Sequence, residues 1–128
     1  MYRSNLHHVF WTAFGEPCKP SEIIVNQSKT GRVIEQKPEF QVTVTNKCSC
    51  PQFNVVVKCF GLSSIEPVDS NVIKKIDDVR CVLNNGKPIA PGLNVEFKYA
   101  WATPQDFPVG SCRTLVKRLL RYRMQLEL

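Results

Sequence analysis

Phe40-Gln41-Val42-Thr43-Val44-Thr45 alternates apolar and polar side chains without a break. Successive side chains of an extended chain point to opposite faces, so this stretch reads as a strand with one dry face and one wet face. The same pattern recurs on either side. Phe53, Val55, Val57 and Cys59 alternate with Asn54, Val56 and Lys58, and Val95, Phe97 and Tyr99 alternate with Glu96 and Lys98. Ile23-Ile24-Val25 and Val79 to Leu83 are two further strand candidates, dense in β-branched residues. Lys29-Thr30-Gly31 and Asn84-Asn85-Gly86 supply residues that tolerate positive φ, as tight turns require, and Pro51 and Pro91-Gly92 punctuate the chain further. Five or six short strands at this spacing predict an all-β fold, a small antiparallel sandwich or barrel. Residues 69–76 predict one short helical turn capped by Asp69 or Ser70.

The chain has 128 residues, enough for one domain with a real core but too few for a full Rossmann domain or TIM barrel. Apolar residues make up 43% of it, which argues against overall disorder. No run of about 18 apolar residues exists, so no transmembrane helix and no stable membrane insertion is expected. The net charge is +6, and the excess concentrates at the end: Arg113, Lys117, Arg118, Arg121 and Arg123 stand against Glu127 alone. The rest is only mildly basic, and its charges alternate with apolar residues as solvated strand faces do, which does not predict a nucleic-acid partner. Leu115, Leu119, Leu120 and Met124 recur near helical spacing, so residues 113–128 read as a basic tail, either an amphipathic helix or a poorly ordered extension.

Six cysteines, Cys18, Cys48, Cys50, Cys59, Cys81 and Cys112, are an even number in a small chain. That points to a disulfide framework and an oxidising compartment, with the pairing left open by spacing alone. Zinc is the weaker reading, because only Cys48-x-Cys50 is close and its spacer is too short for the usual paired ligands. Parity places Cys59 with Val55 and Val57, Cys81 with Val79 and Leu83, and Cys48 and Cys50 in line with Phe40, Val42 and Val44. The thiols therefore face the core. At the other end, the apolar patch Val9 to Phe14 is shorter than the 7–15 residues a leader needs. Residues 1–17 thus read as a residual N-terminal segment, 18–112 as a cysteine-rich β domain and 113–128 as the tail.

No catalytic constellation emerges. There is no Gly-rich phosphate loop and no G-x-S-x-G elbow, and the reading assigns no catalytic, cofactor or metal residue. Asp77-Asp78 is the only adjacent acid pair and reads as an exposed loop. His7-His8 precedes the first strand without a neighbouring nucleophile. Tyr99 and Trp101 are core aromatics or a sugar-stacking pair, with core favoured because Tyr99 shares parity with Phe97. Asn26-Gln27-Ser28 is a glycosylation sequon, which makes Asn26 a candidate modification site if the chain enters the secretory pathway.

Several segments together resemble the plant Tapetum Determinant family of small secreted cysteine-rich proteins. They are CKPSEIIVNQSKTG from Cys18, KPEFQVTVTNKCSC through Cys50, VVVKCFGLSSIEPVD from Val55, CVLNNGKPI from Cys81 and VEFKYAW ending at Trp101. The resemblance covers residues 18–107; the N-terminal leader and the tail after Cys112 depart from it. It implies an extracellular signalling ligand rather than an enzyme, perceived by a leucine-rich-repeat receptor kinase and specifying tapetal cell fate in the anther. A stapled β-scaffold suits that role, since a rigid ligand loses little entropy on docking. Binding residues concentrate on loops held by a rigid frame. The expected receptor contacts are therefore Ser63, Ser64, Glu66 and Asp69 in one loop and Asn84, Asn85 and Lys87 in another. The competing expectation is a cell-wall polysaccharide-binding module that uses Trp101 or Trp11 as a stacking platform.

Overall fold

Strand β3 (Lys37–Asn46) carries the alternation at 40–45: Phe40, Val42 and Val44 are buried, while Gln41, Thr43 and Thr45 are half-buried. A computed structural model describes residues 8–13 and 18–120, with side chains described for 18–116. The other strands are β1 (His8–Ala13), β2 (Ile23–Ile34), β4 (Gln52–Lys58), β5 (Ile73–Lys75), β6 (Arg80–Leu83), β7 (Asn94–Ala100) and β8 (Val109–Leu120). All pair antiparallel, in two sheets of order β2-β3-β7 and β1-β8-β4-β6-β5.

The core lies between the sheets. Register puts Val25 and Val95 on either side of Val44, and Phe97 and Tyr99 beside Val42 and Phe40, so apolar side chains of β3 and β7 share one face. Val55, Val57, Ile73, Cys81 and Leu83 form the facing layer. Tyr99 stacks on Phe40 with centroids 5.2 Å apart, and Phe107 meets both Phe97 and Tyr99 edge-on at 5.4 and 5.7 Å. This is sandwich packing, with no closed barrel.

Two bridges staple it. Cys18–Cys48 joins the entry to β2 to the exit from β3, and Cys59–Cys81 joins the end of β4 to β6. Asn84, Asn85 and Gly86 all have positive φ, as the turn reading requires.

Four local expectations shift. Lys29-Thr30-Gly31 is a bulge rather than the hairpin turn. Gly31 takes φ 94° there, and pairing resumes through Val33↔Pro38 and Ile34↔Lys37. The turn falls on Glu35 and Gln36, both at positive φ. In β4, Asn54 at φ 49° reverses the parity, so Gln52 is buried and Phe53 faces outward under the Arg113 guanidinium. Residues 69–76 hold a single turn that ends at Ile73, closed by Val72 N and Ile73 N donating to Asp69 O at 3.0 Å. Asp69 caps it as expected, with its Oδ1 accepting from Asn71 N at 2.9 Å, but Ile73–Lys75 run on as a strand paired with β6 rather than as helix. Val79 lies outside β6, in the hairpin, and is exposed although Cys81 and Leu83 are buried.

The tail is neither helical nor an extension through residue 120. Residues 113–120 belong to β8, which pairs with β4 over its first half and with β1 over its second. A 16-residue helix is marginal alone, whereas this strand finds ladder partners along its length. β1 itself lies within the segment that reads as residual. Residues 121–128, like His7, lie outside the described residues.

Candidate functional site

The two loops expected to contact a partner differ in how much of them is free. Ser63 is held from both sides by the Gln105 side chain, whose Oε1 accepts from Ser63 N at 3.1 Å and whose Nε2 donates to Ser63 O at 2.6 Å. Ser64 Oγ donates to Glu66 O and accepts from Ala100 N, and Ile65 N donates to Ala100 O. Residues 63–66 are thus a strap along the outer edge of β7. Gln105 is itself fixed, because Tyr99 Oη accepts from Gln105 N at 2.8 Å and donates to Gln27 Oε1. The second loop packs on the turn after Asp69: Asn84 N donates to Val72 O, and Asn85 Nδ2 donates to Asn71 Oδ1 at 3.4 Å. The second expected loop therefore meets the turn just beyond the first, through Asn71 and Asn85. Asp69, Asn85 and Lys87 are exposed there, while Ser63, Ser64, Glu66 and Asn84 are half-buried.

Beside the strap lies an open groove of about 480 Å³, lined by Arg32, Glu39, Gln41, Glu66, Glu96 and Lys98 among others. Glu39 is only 1% exposed. Its Oε1 accepts from Thr30 Oγ1 at 2.7 Å, and its Oε2 faces Arg32 Nη1 at 3.4 Å. The Thr30 hydroxyl and a hydrogen bond to Glu66 hold the Glu39 carboxyl below its ordinary pKa, helped by the charges of Arg32 and Lys98. Burial and the same shared hydrogen bond push Glu66 up. Glu39 therefore gives up its proton more readily than Glu66. Two carboxyls in hydrogen-bond contact leave no room for a glycosidic bond, which needs a separation of about 5 Å or more. Their chemistry is to lock the strap onto β3. By parity with Phe40, Glu39 falls on the outward face of β3, where Thr30 and Arg32 of β2 and Glu66 of the strap surround its carboxylate.

The remaining candidates resolve individually. Asp77 is a turn-former: its Oδ1 accepts from Val79 N and Arg80 N, and its Oδ2 pairs with Arg80 at 2.9 Å. Asp78 is exposed in the same hairpin. Asn26 is exposed on β2, opposite Thr43. Trp101 is 36% exposed, but its neighbours Phe97 and Tyr99 are buried and form no flat aromatic strip with it. The Trp11 side chain lies outside the described residues.

Four of the six cysteines are bridged. Cys50 and Cys112 do not bridge each other. Cys112 Sγ instead donates to the buried Gln52 Oε1 at 2.7 Å. Gln52 in turn donates to Asn46 Oδ1, and Asn46 donates to the carbonyls of Cys50 and Ile89. This buried polar network has no signature in the alternation pattern, since Asn46 and Gln52 read as polar strand-end residues. Cys18, Glu22 and Cys48 bring donor atoms within 4.8 Å of one another, but both sulfurs are committed to their bridge.

Residues 19–115 match the family model described as Tapetum determinant 1, C-terminal. The chain is similar to TPD1 protein homolog 1 of Arabidopsis thaliana, at 30% identity over 99 residues, 76% of this chain and 55% of that protein. It is also similar to TPD1 protein homolog 1A of Oryza sativa subsp. japonica, at 26% over 103 residues, 74% of this chain and 46% of that protein. An uncharacterized Arabidopsis thaliana protein is 33% identical over 85 residues. The chain thus spans about half the length of the first two relatives. No solved structure matches it. A match across strands β2 to β7 and on to the middle of β8 places the chain in the Tapetum determinant 1 family.

Proposed function

We propose that this protein is a secreted, cysteine-rich signalling ligand without catalytic activity, read by the ectodomain of a leucine-rich-repeat receptor kinase in anther cell-fate control. The observation that carries the reading is the family match over residues 19–115. The fold supports it. Two bridges across a small sandwich suit an oxidising compartment and hold the surface rigid before docking. The exposed Asn26 sequon suits export and would carry a glycan. The adjoining loops offer Asp69, Asn85 and Lys87 to the receptor from a fixed backbone.

The test is binding of the protein, secreted from plant cells, to a panel of immobilised leucine-rich-repeat ectodomains. At least one ectodomain should bind, and Asp69→Ala/Asn85→Ala/Lys87→Ala should weaken that binding about tenfold or more. Failure of every ectodomain to bind folded protein would overturn the reading.

A further inference from the structure

Cys59, Phe60, Gly61 and Leu62 form a turn closed by Leu62 N donating to Cys59 O at 2.8 Å. Phe60, Gly61 and Leu62 all have positive φ, at 45°, 89° and 47°. That conformation suits glycine and asparagine and strains a phenylalanine. Leu62 packs against the core, which accounts for its place. Phe60 does not: it is 62% exposed. It breaks two local rules at once, a bulky residue at positive φ and a large aromatic in water, with no packing gain. Rule-breaking of that kind concentrates at functional sites.

The surroundings extend the feature. Cys59 N and Phe60 N both donate to Val79 O, so the turn is docked on the β5–β6 hairpin. That hairpin exposes Ile76 and Val79. The Cys59–Cys81 bridge lies directly behind, which makes the platform rigid. Around it stand Lys58, Lys74 and Lys75, all exposed and outside the two ion pairs found among the described residues, Arg32–Glu39 and Arg80–Asp77. Asp78 is the only other acid in the hairpin.

We propose that Phe60, with Ile76 and Val79, is an anchor that inserts into an apolar pocket ringed by Asp and Glu on a protein partner. This surface lies at the opposite end of β6 from the Asn84–Gly86 turn, so it is separate from the loops described above. It rests on the reading of the protein as a receptor ligand, and names the part of it that would bind most strongly. Aromatic anchors in desolvated pockets dominate protein interfaces, and a lysine ring steers an acidic partner to them.

The decisive variant is Phe60→Asn, which relieves the backbone strain and removes the ring. Against the ectodomain panel, it should lose at least tenfold in affinity while its thermal midpoint stays level or rises. Lys58→Glu/Lys75→Glu should slow association and flatten its salt dependence. Unchanged affinity of Phe60→Asn for an ectodomain that binds the parent protein overturns this proposal alone. A fall in thermal midpoint also overturns it, since Phe60 would then be structural. Concentration-dependent dimers abolished by Phe60→Asn would overturn it in favour of a second copy of this chain. Absence of binding by the parent protein to every ectodomain overturns the ligand reading, and this proposal with it.

Discussion

Glu39 and Glu66 make the fold sensitive to pH, because their carboxyls are shifted in opposite directions. Glu39 titrates below its ordinary range, so the stability it adds is present above the usual carboxylate pKa and disappears as pH falls through its lowered value. Glu66 titrates above its ordinary range, so its contribution is present in acid and disappears as pH rises through its raised value. Stability should peak where only Glu39 is ionised, in mild acid. Glu66→Gln should abolish the fall in thermal midpoint on the neutral side and leave the acid-side fall in place. A midpoint profile of Glu66→Gln that still declines toward neutral pH would show that the pair does not control it. None of this was legible from the residues alone, because Glu39 sits one position before Phe40 and reads as an ordinary solvent-facing acid.

Elements show most clearly what a one-dimensional pattern can and cannot carry. The alternation at 40–45 was sufficient for β3, because a half-buried strand needs only its own side chains to declare its faces. The same rule held in β4 for Val55, Val57 and Cys59 but failed before Asn54, at Gln52 and Phe53, since a single residue at positive φ exchanges the inner and outer sets. It failed again for residues 113–120, whose state is decided by strands distant in sequence on either side. The expected loop site was half legible. Asp69, Asn85 and Lys87 are exposed as their composition suggests, but nothing local announces that Gln105 and Ala100 hold Ser63 and Ser64. The β2–β3 turn gives a prediction at this scale. Ile34 pairs with Lys37 around Glu35 and Gln36, both at positive φ, where Asn-Gly is the favoured pair. Glu35→Asn/Gln36→Gly should stabilise the protein by about 1–2 kcal/mol, read as a raised urea midpoint with an unchanged slope.

For the whole molecule, the bridges are the main restraint on the unfolded chain. Their sequence separations are 30 and 22 residues. Closing loops of that size should contribute about 3–4 kcal/mol each, a large share of a small domain's net stability. Cys59→Ser/Cys81→Ser should therefore lower the unfolding free energy by about that amount in urea titration. Peptide mapping should recover Cys18 linked to Cys48 and Cys59 linked to Cys81, and any other linkage would contradict the fold described here.

The sheet rims have a further consequence. β7 is held at its Ala100 end by Ser64 and Ile65, β5 is three residues long with two lysines, and β2 is broken by its bulge at Gly31. Exposed strand edges invite another chain to continue the ladder, and these are the devices that discourage it. At those three rims backbone-to-backbone recruitment has little to grip, and recognition falls to side chains; β1 is the remaining edge among the described strands. Gene copies that keep this backbone could then acquire different partners through a handful of surface replacements, without re-engineering the frame beneath.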